Sequence, residues 1–407
     1  MTRRPLFLPC AQGVEALLAD ECRRLLGGDV AVREQRGGVS VDGDEIAAMR
    51  LNLESRLAQR VLWPLAHGEY RHEQDLYDLA RSVRWVDWIS SRQTLRVDTT
   101  AQRSPLKSLN FATLRIKDAV CDAVREASAE RPSVDTSRPD LPLALHLTAT
   151  HATLYADTSG EALFKRGWRD AQGKKGEAPL KETLAASMLA AAGWQGRAED
   201  GPLFDPCCGA GTIAIEAAQL ACDIAPGAMR RFAFERLMPW REHQAAWREM
   251  LDAARARVHE SRVPIFAGDV SFRMTDFATR NAERAGVSGA IEFRTADALQ
   301  RLPPAPVGTL MLNPPYGERI AAKGQGQGRG KFTREGFEGE GTPAEFFGAL
   351  AAHWKRHYAG WTAWILAPEM KLPSLMRLKE RRRVPLWNGP IECRLFRFDM
   401  VAGSARR

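Results

Sequence analysis

Residues 203–218 read Leu-Phe-Asp-Pro-Cys-Cys-Gly-Ala-Gly-Thr-Ile-Ala-Ile-Glu-Ala-Ala, a passage that few folds accommodate. A short apolar strand runs into a glycine-bearing loop and then directly into an apolar helix. Glycine lets backbone come close to a ligand, and the first turn of a helix presents unpaired N–H groups. Thr212 reads as the residue capping that helix. The unit suits a parallel, doubly wound sheet, in which ligands bind beyond the carboxyl ends of the strands. Read as Gly-x-Gly-x-x-Ala, the loop also matches the loose dinucleotide pattern. That pattern wants an acidic residue about 20 positions on. The next strand-terminal acid is Asp269, closing the run Val263–Gly268, 64 positions after Asp205. The stretch between, 222–262, reads as helical and rich in Trp and Arg. The dinucleotide reading therefore fails on spacing unless a helical insert is allowed.

A second signal lies downstream. Gly308–Leu312 is an apolar run that stops abruptly at Asn313-Pro314-Pro315-Tyr316. This predicts a buried strand whose end presents an amide, a rigid carbonyl and an aromatic ring. The prolines lack an N–H and fix φ, which holds the carbonyl in place. Asn313 Oδ1 and the Pro314 carbonyl can accept two hydrogen bonds from one amino group, while Tyr316 stacks on a ring plane. The tetrapeptide suits chemistry on a flat molecule bearing an exocyclic NH2. Taken alone it reads better as a strand followed by a proline-rich turn; the upstream loop is what raises it.

Together the two signals resemble class I S-adenosylmethionine-dependent methyltransferases. The resemblance implies a cofactor site built from Asp205, Pro206, Cys207, Gly209, Gly211 and Thr212 of the loop, with Asp269 on the ribose side and Asp297 and Ala298 on the adenine side. Asn313, Pro314, Pro315 and Tyr316 become the catalytic tetrapeptide, Asn313 also touching the cofactor. Ala178–Ala186 looks like the segment that closes over the cofactor, which brings in Pro179, Lys181, Glu182 and Thr183. The likeness extends further. Pro5–Arg169 resembles the N-terminal part of THUMP-domain RNA methyltransferases. Asp157–Gly160, Arg166–Asp170 and Asn313–Arg319 together are similar to the bacterial 23S rRNA guanine-N2 methyltransferases. The implied cofactor is S-adenosylmethionine, released as S-adenosylhomocysteine, with no metal. The implied partner is RNA, 23S rRNA or a large-subunit precursor, and not DNA.

The expected fold class is α/β. A Rossmann-like methyltransferase domain, its parallel sheet ending in an antiparallel hairpin, follows an α+β ferredoxin-like and THUMP region. The expected domains are 1–65, ferredoxin-like; 66–165, THUMP; and 166–407, methyltransferase, with 321–342 a flexible insertion. The residues alone support two small α+β units and then strands alternating with helices. The first part is read as strands Pro5–Leu8, Val30–Val32, Val39–Val41, Thr94–Thr100, Leu141–Thr148 and Ala152–Ala156. Helices are read at Glu15–Leu26, Leu76–Ile89 and Leu109–Ala129. In the last domain the candidate strands are Pro202–Asp205, Val263–Gly268, Ala290–Thr295, Gly308–Leu312 and Trp361–Ala367. Val384–Trp387 and Ile391–Phe398 then flank the hairpin signal Asn388-Gly389. Gly173–Gly176 reads as a hinge. Lys323–Thr342 is low in complexity and reads as a tolerated surface insertion, or as a lid that orders on RNA.

Composition narrows the classes. A hydrophobic fraction of 44% over 407 residues supports sizeable cores in two or three domains. No apolar run approaches the ~18 residues of a membrane helix, and no leader pattern opens the chain. The seven cysteines, Cys10, Cys22, Cys121, Cys207, Cys208, Cys222 and Cys393, are odd in number and form no C-x-x-C pair. That argues against a disulfide framework and a zinc or iron–sulfur centre, and for a cytoplasmic protein. Cys207 and Cys208 read as small loop residues and not as nucleophiles. The net charge is +8, unevenly spread: residues 1–165 hold 22 Lys+Arg against 23 Asp+Glu, while 370–407 hold 10 against 3. A polyanionic partner accounts for the basic segment, and so does a solvated basic face.

The expected chemistry is positioning. The guanine amino group is a poor nucleophile because its lone pair is delocalised. Two acceptors that pull the NH2 toward a pyramidal shape would aim that lone pair at the methyl group, with the base flipped from its stack. Rival readings are a methyltransferase acting on tRNA guanine, adenine or a glutamine amide, and a non-catalytic RNA-binding assembly factor. A chain ending at Arg407 is expected to carry one activity. The sequence leaves open which guanine is modified and the oligomeric state.

Overall fold

The computed structural model describes residues 3–169, 180–314 and 343–401. The first part of the chain runs β1 (Arg4–Pro9), α1 (Glu15–Leu26), β2 (Val32–Gln35), β3 (Gly38–Gly43), α2 (Glu45–Glu54), β4 (Leu62–Glu69), α3 (Glu73–Arg81), β5 (Thr94–Ala101), α4 (Leu109–Ser128), β6 (Ser133–Val134), β7 (Leu141–Leu147) and β8 (His151–Asp157). Local chemistry sets the helix starts. Asp44 Oδ1 accepts from Ala47 N at 2.9 Å and Ser108 Oγ from Phe111 N at 3.2 Å, each satisfying a donor of the first turn. These strands form one eight-stranded sheet in the order β2-β3-β1-β4-β8-β7-β5-β6.

The strand that joins the two halves of this sheet, β4, was not among the sequence expectations. It pairs with β1 on one side and β8 on the other, and its register slips between Pro64 and Ala66. Pro64 removes a ladder donor and the bulge breaks the two-residue alternation, so the segment carries no strand signature. Two expected elements move. The strand expected at Val30–Val32 lies at Val32–Gln35, a largely exposed ribbon. The helix expected over Leu76–Ile89 stops at Arg81, and Trp85–Asp87 is a separate 3-10 turn. Trp85 is fully buried and its Nε1 donates to Ala80 O at 2.8 Å, which closes the chain back on the helix end.

The chain continues with α5 (Glu182–Ala192), β9 (Leu203–Asp205), α6 (Thr212–Ala221), α7 (Gln244–Ala256), β10 (Ile265–Asp269), α8 (Phe272–Arg284), β11 (Ile291–Thr295), β12 (Gly308–Leu312), α9 (Pro343–His357), β13 (Trp361–Ala367), α10 (Leu372–Met376), β14 (Arg382–Asn388) and β15 (Ile391–Asp399). The second sheet has the order β11-β10-β9-β12-β13-β15-β14. Its first five strands are parallel, and β15 runs antiparallel to both β13 and β14. This is the Rossmann-like sheet with a terminal hairpin that was expected. Its inner strands are covered on both sides, so they read as unbroken apolar runs. Phe204, Leu310, Leu312, Trp354, Trp361, Phe396 and Phe398 share one core on the α9 side.

The chain divides into two compact units. The first is residues 1–10, 15–166 and 225–256; the second is 11–14, 167–224 and 257–407. The Trp- and Arg-rich stretch between Asp205 and Asp269 thus leaves the Rossmann-like sheet and packs with the first unit. Trp240 meets Trp63 edge-on at 5.2 Å between ring centres and donates from Nε1 to Glu45 O at 3.1 Å. Arg230 caps the carbonyls of Glu161 and Ala162 at 2.7 and 2.8 Å. This excursion accounts for the long spacing that defeated the dinucleotide pattern.

Candidate functional site

In the second sheet, β9 is the first strand of the parallel series and has β10 on one side and β12 on the other. The strands that follow β9 are therefore added first on one side of it and then on the other, and crevices at such switch points are where open α/β sheets hold ligands. The register fixes the depth of each group. Asp205 pairs with Ala267 on β10, so Asp269 projects two residues beyond it. On the other side Leu310 pairs with Phe204, so Asn313 also lies two residues beyond the level of Asp205. Asp269 and Asn313 thus stand on either side of the glycine loop, about 10 Å apart at one interstrand spacing each.

The loop is held from several directions. Asp205 is 1% exposed and accepts from Cys207 N at 3.2 Å. Cys208 N donates to Gly268 O at 2.8 Å and Gly209 N to Asp269 Oδ2 at 3.0 Å. The other carboxylate oxygen of Asp269 accepts from Ser271 N at 3.0 Å. Gly211, not Thr212, is the cap of α6. Its φ of +81° suits glycine, and a Cβ there would lie 3.0 Å from that of Ala278. Thr212 is the first helical residue, and its hydroxyl accepts from Arg169 Nη2 at 2.8 Å. The capping expectation therefore moves back one residue, because the turn needs a left-handed backbone that threonine resists.

The electrostatics are unusual. Burial pushes the Asp205 carboxyl well above the usual carboxylate range, and the nearby charge of Asp269 adds to the rise. Burial also pushes the Cys207 and Cys208 thiols well above the usual thiol range; Asp205, Asp269 and, for Cys207, Asp297 raise them further. The three strand-end carboxylates therefore converge on the Cys207-Cys208 turn. Thiols raised in this way are held in the protonated form, which is the poorer nucleophile. A pocket of this sign attracts cations and hydroxyl or amino donors.

The flanks complete the arrangement. Asp297 follows β11; its Oδ1 accepts from Leu299 N at 2.8 Å and its Oδ2 from Gln300 Nε2 at 3.3 Å. Ala298 beside it is buried. A cavity of about 650 Å³ opens against Asp297, lined also by Phe266, Arg294, Gln300, Arg301 and Leu302. It reaches Ala296 but not the glycine loop, so it marks the flank of the crevice. Asn313 is half-buried and Pro314 buried just past β12. Glu182 and Thr183 are buried at the start of α5, and Lys181 precedes it. Pro179, Pro315 and Tyr316 lie outside the described residues, as do the 173–176 hinge and the 321–342 insertion. Among the described residues no group of three or more His, Cys, Asp or Glu could hold a metal ion, and no helix is long and apolar enough to cross a membrane.

Three family models match the chain: an RlmL ferredoxin-like domain over residues 5–62, a THUMP domain over 70–157, and an RMKL-like methyltransferase domain over 166–331. Together these matches give the chain a ferredoxin-like, a THUMP and a methyltransferase domain in that order. A ribosomal RNA large subunit methyltransferase K/L of Shewanella amazonensis is 36% identical over 98% of this chain and 54% of its own length. The chain thus spans about half the length of the curated relatives it matches. Among solved structures, a methyltransferase complexed with S-adenosylhomocysteine is 24% identical with a TM-score of 0.84, covering 99% of this chain and 100% of that one. A Listeria monocytogenes protein described as a predicted N6-adenine-specific DNA methylase is 27% identical with a TM-score of 0.81, over 98% and 96% of the two chains.

Sequence reasoning missed the residues that brace the glycine loop from behind. Arg169 and Asn281 both bond to it, the latter from Nδ2 to Ala210 O at 2.9 Å. For Arg169 the signal was present, in the Arg-Gly-Trp-Arg run. For Asn281 it was not, since a polar residue mid-helix has no distinguishing pattern.

Proposed function

We propose that the chain transfers a methyl group from S-adenosylmethionine to the exocyclic N2 of a guanine in 23S rRNA, releasing S-adenosylhomocysteine. The reading rests chiefly on one observation: Asp269 and Asn313 end the two strands flanking β9, with the glycine loop between them. The donor set fits the cofactor. Asp269 accepts from ribose hydroxyls, Asp297 and Ala298 border the adenine, and Asp205 with Pro206, Cys207, Gly209, Gly211 and Thr212 lines the methionine side. Pro179, Lys181, Glu182 and Thr183 close over it. The convergent carboxylates suit a cationic nucleoside. When bound, S-adenosylmethionine supplies an electrophilic methyl group.

The rest of the task falls to the chain. Asn313 Oδ1 and the Pro314 carbonyl accept hydrogen bonds from the target amino group and orient its lone pair. Pro315 stiffens the turn and Tyr316 stacks on the base. Orientation and fixed dipoles then lower the barrier without a strong base. An RNA target is favoured by the THUMP match and by the K/L relative; adenine is the rival, by the name of the Listeria neighbour. With ribosomal RNA as substrate the protein acts in the cytoplasm. The test is methyl transfer by the purified chain to unmodified 23S rRNA, with product nucleosides identified by mass. N2-methylguanine supports the reading. A methylated adenine, or transfer to tRNA alone, overturns it.

A further inference from the structure

The run Arg166–Asp170 has no part in the methyl-transfer chemistry, yet one of its side chains reaches the glycine loop. We propose that Arg169 is a positioning residue that holds this loop in its cofactor-binding shape before the cofactor arrives. The proposal rests on the cofactor assignment above and deepens it.

Arg169 makes contacts to three places. Its Nε donates to Glu182 Oε1 at the start of α5. Its Nη2 donates to Leu180 O at 3.2 Å and to Thr212 Oγ1 at 2.8 Å. The guanidinium lies 4.7 Å from the centre of the Trp168 ring, and Trp168 is only 1% exposed. From Trp168 the connection continues. Its carbonyl accepts from Arg284 Nε at 2.9 Å, Arg284 Nη2 bonds Asn281 Oδ1 at 2.5 Å, and Asn281 Nδ2 bonds Ala210 O. Ala210 and Thr212, on either side of Gly211, are thus gripped by the two ends of one circuit.

The physical consequence concerns entropy. A loop with glycines at 209 and 211 loses more conformational freedom on ordering than the same loop without them. A loop ordered in advance spares the ligand that cost. An ion pair needed only for stability would end at Glu182; here the same guanidinium also reaches a loop hydroxyl. The planar fork of arginine serves several acceptors in fixed directions, whereas lysine offers one compact charge. Glu182 is 2% exposed, so removing Arg169 alone strands a buried carboxylate.

The test uses the full chain, with calorimetric titration of S-adenosylhomocysteine and methyl-transfer kinetics on 23S rRNA. The variants are Arg169→Lys, Arg169→Gln, and Arg169→Gln combined with Glu182→Gln, the last removing the stranded charge and read by amide exchange alone, because Glu182 stands in the proposed cofactor site. The expected result is a loss of cofactor affinity of about 10- to 100-fold, the range for groups that orient a binding residue from behind. KM for the cofactor rises in step, turnover at saturation stays within about twofold, and Arg169→Lys falls between. In the ligand-free variants, amide exchange at Gly209–Thr212 becomes faster. Variants that fold with unchanged affinity and unchanged exchange overturn the proposal, and so does a turnover loss at unchanged affinity. If the parent chain does not bind S-adenosylhomocysteine, the cofactor reading falls instead, and loop exchange alone decides the role of Arg169.

Discussion

Asp157 in the first unit and Asp205 in the second make an instructive pair. Each is an aspartate at the end of a strand, 3% and 1% exposed, and burial raises the carboxyl of each above the usual range. Their partners differ. Asp157 is paired with Arg60, and its Oδ1 accepts from Ser159 N at 3.0 Å and Gly160 N at 3.2 Å. Around it Asn52 bonds both Thr158 and Ser159, closing the network on itself. Among the described residues Asp205 accepts only from Cys207 N, and its nearest influential charge is another carboxylate. A buried charge matched by cations and N–H groups is there to hold the chain together. A buried carboxyl left facing like charge in a crevice has no such match, which is the pattern expected of a binding group under the function proposed above. The same residue type, strand position and burial thus occur in opposite surroundings, and only the neighbours distinguish them.

The largest effect that would sharpen this contrast lies at the edge of the crevice. Asn313→Ala should cut methyl transfer by ~10²–10³ while leaving S-adenosylhomocysteine and RNA affinity in place, as loss of one preorganised polar group does. Single-turnover kinetics on 23S rRNA read it; parental turnover would remove Asn313 from the chemistry.

Next comes stability in the first unit. Asp157→Ala breaks a pair whose arginine is part-exposed, and should cost about 3 kcal/mol in urea unfolding. Cofactor affinity of the folded fraction should not change. A truncated chain of 166–407 is a harsher version of the same test. It would carry Phe232, Phe234, Trp240 and Trp247 without the unit they pack with, and should aggregate.

A smaller effect is expected in the pH dependence of stability. For a carboxyl raised in the folded state, the folded chain binds the proton more tightly than the unfolded chain. Its contribution is therefore fully present below the unfolded value of 3.8 and is lost as pH rises through the raised folded value. Asp205→Asn should flatten that decline without lowering stability near neutral pH. A steeper decline would mean that Asp205 is stabilised as the anion. Smallest of all, Cys207 and Cys208 should resist alkylation at pH 8 in the folded chain, because burial and the surrounding carboxylates keep both thiols protonated. Rapid labelling at either would contradict the convergence of negative charge on that turn.

Much of this arrangement could be read from the sequence, for reasons specific to each element. Gly308–Leu312 and Trp361–Ala367 are apolar runs bounded by turns, and both strands lie where the runs do. The chain segments of the loop, Asp269 and Asn313 were legible because each closes such a run. Three features were not. The strand β4 hides behind Pro64 and a bulge. The excursion 225–256 reads as helix, but nothing in its Trp and Phe spacing says against which sheet it packs. The contrast between Asp157 and Asp205 is invisible in one dimension, since Arg60 is 97 residues from the former and Asp269 lies 64 from the latter.

One titration separates a crevice around Asp205 and Asp269 that binds a ligand from a network around Asp157 that does not. S-adenosylhomocysteine is titrated calorimetrically into Asp269→Ala, Asp205→Asn and Asp157→Asn, each verified as folded. Asp269→Ala should lose about 1.5–3 kcal/mol of binding free energy, Asp205→Asn should also bind more weakly, and Asp157→Asn should bind as the parent does. Equal affinity in Asp269→Ala and the parent, or a loss confined to Asp157→Asn, would contradict that separation.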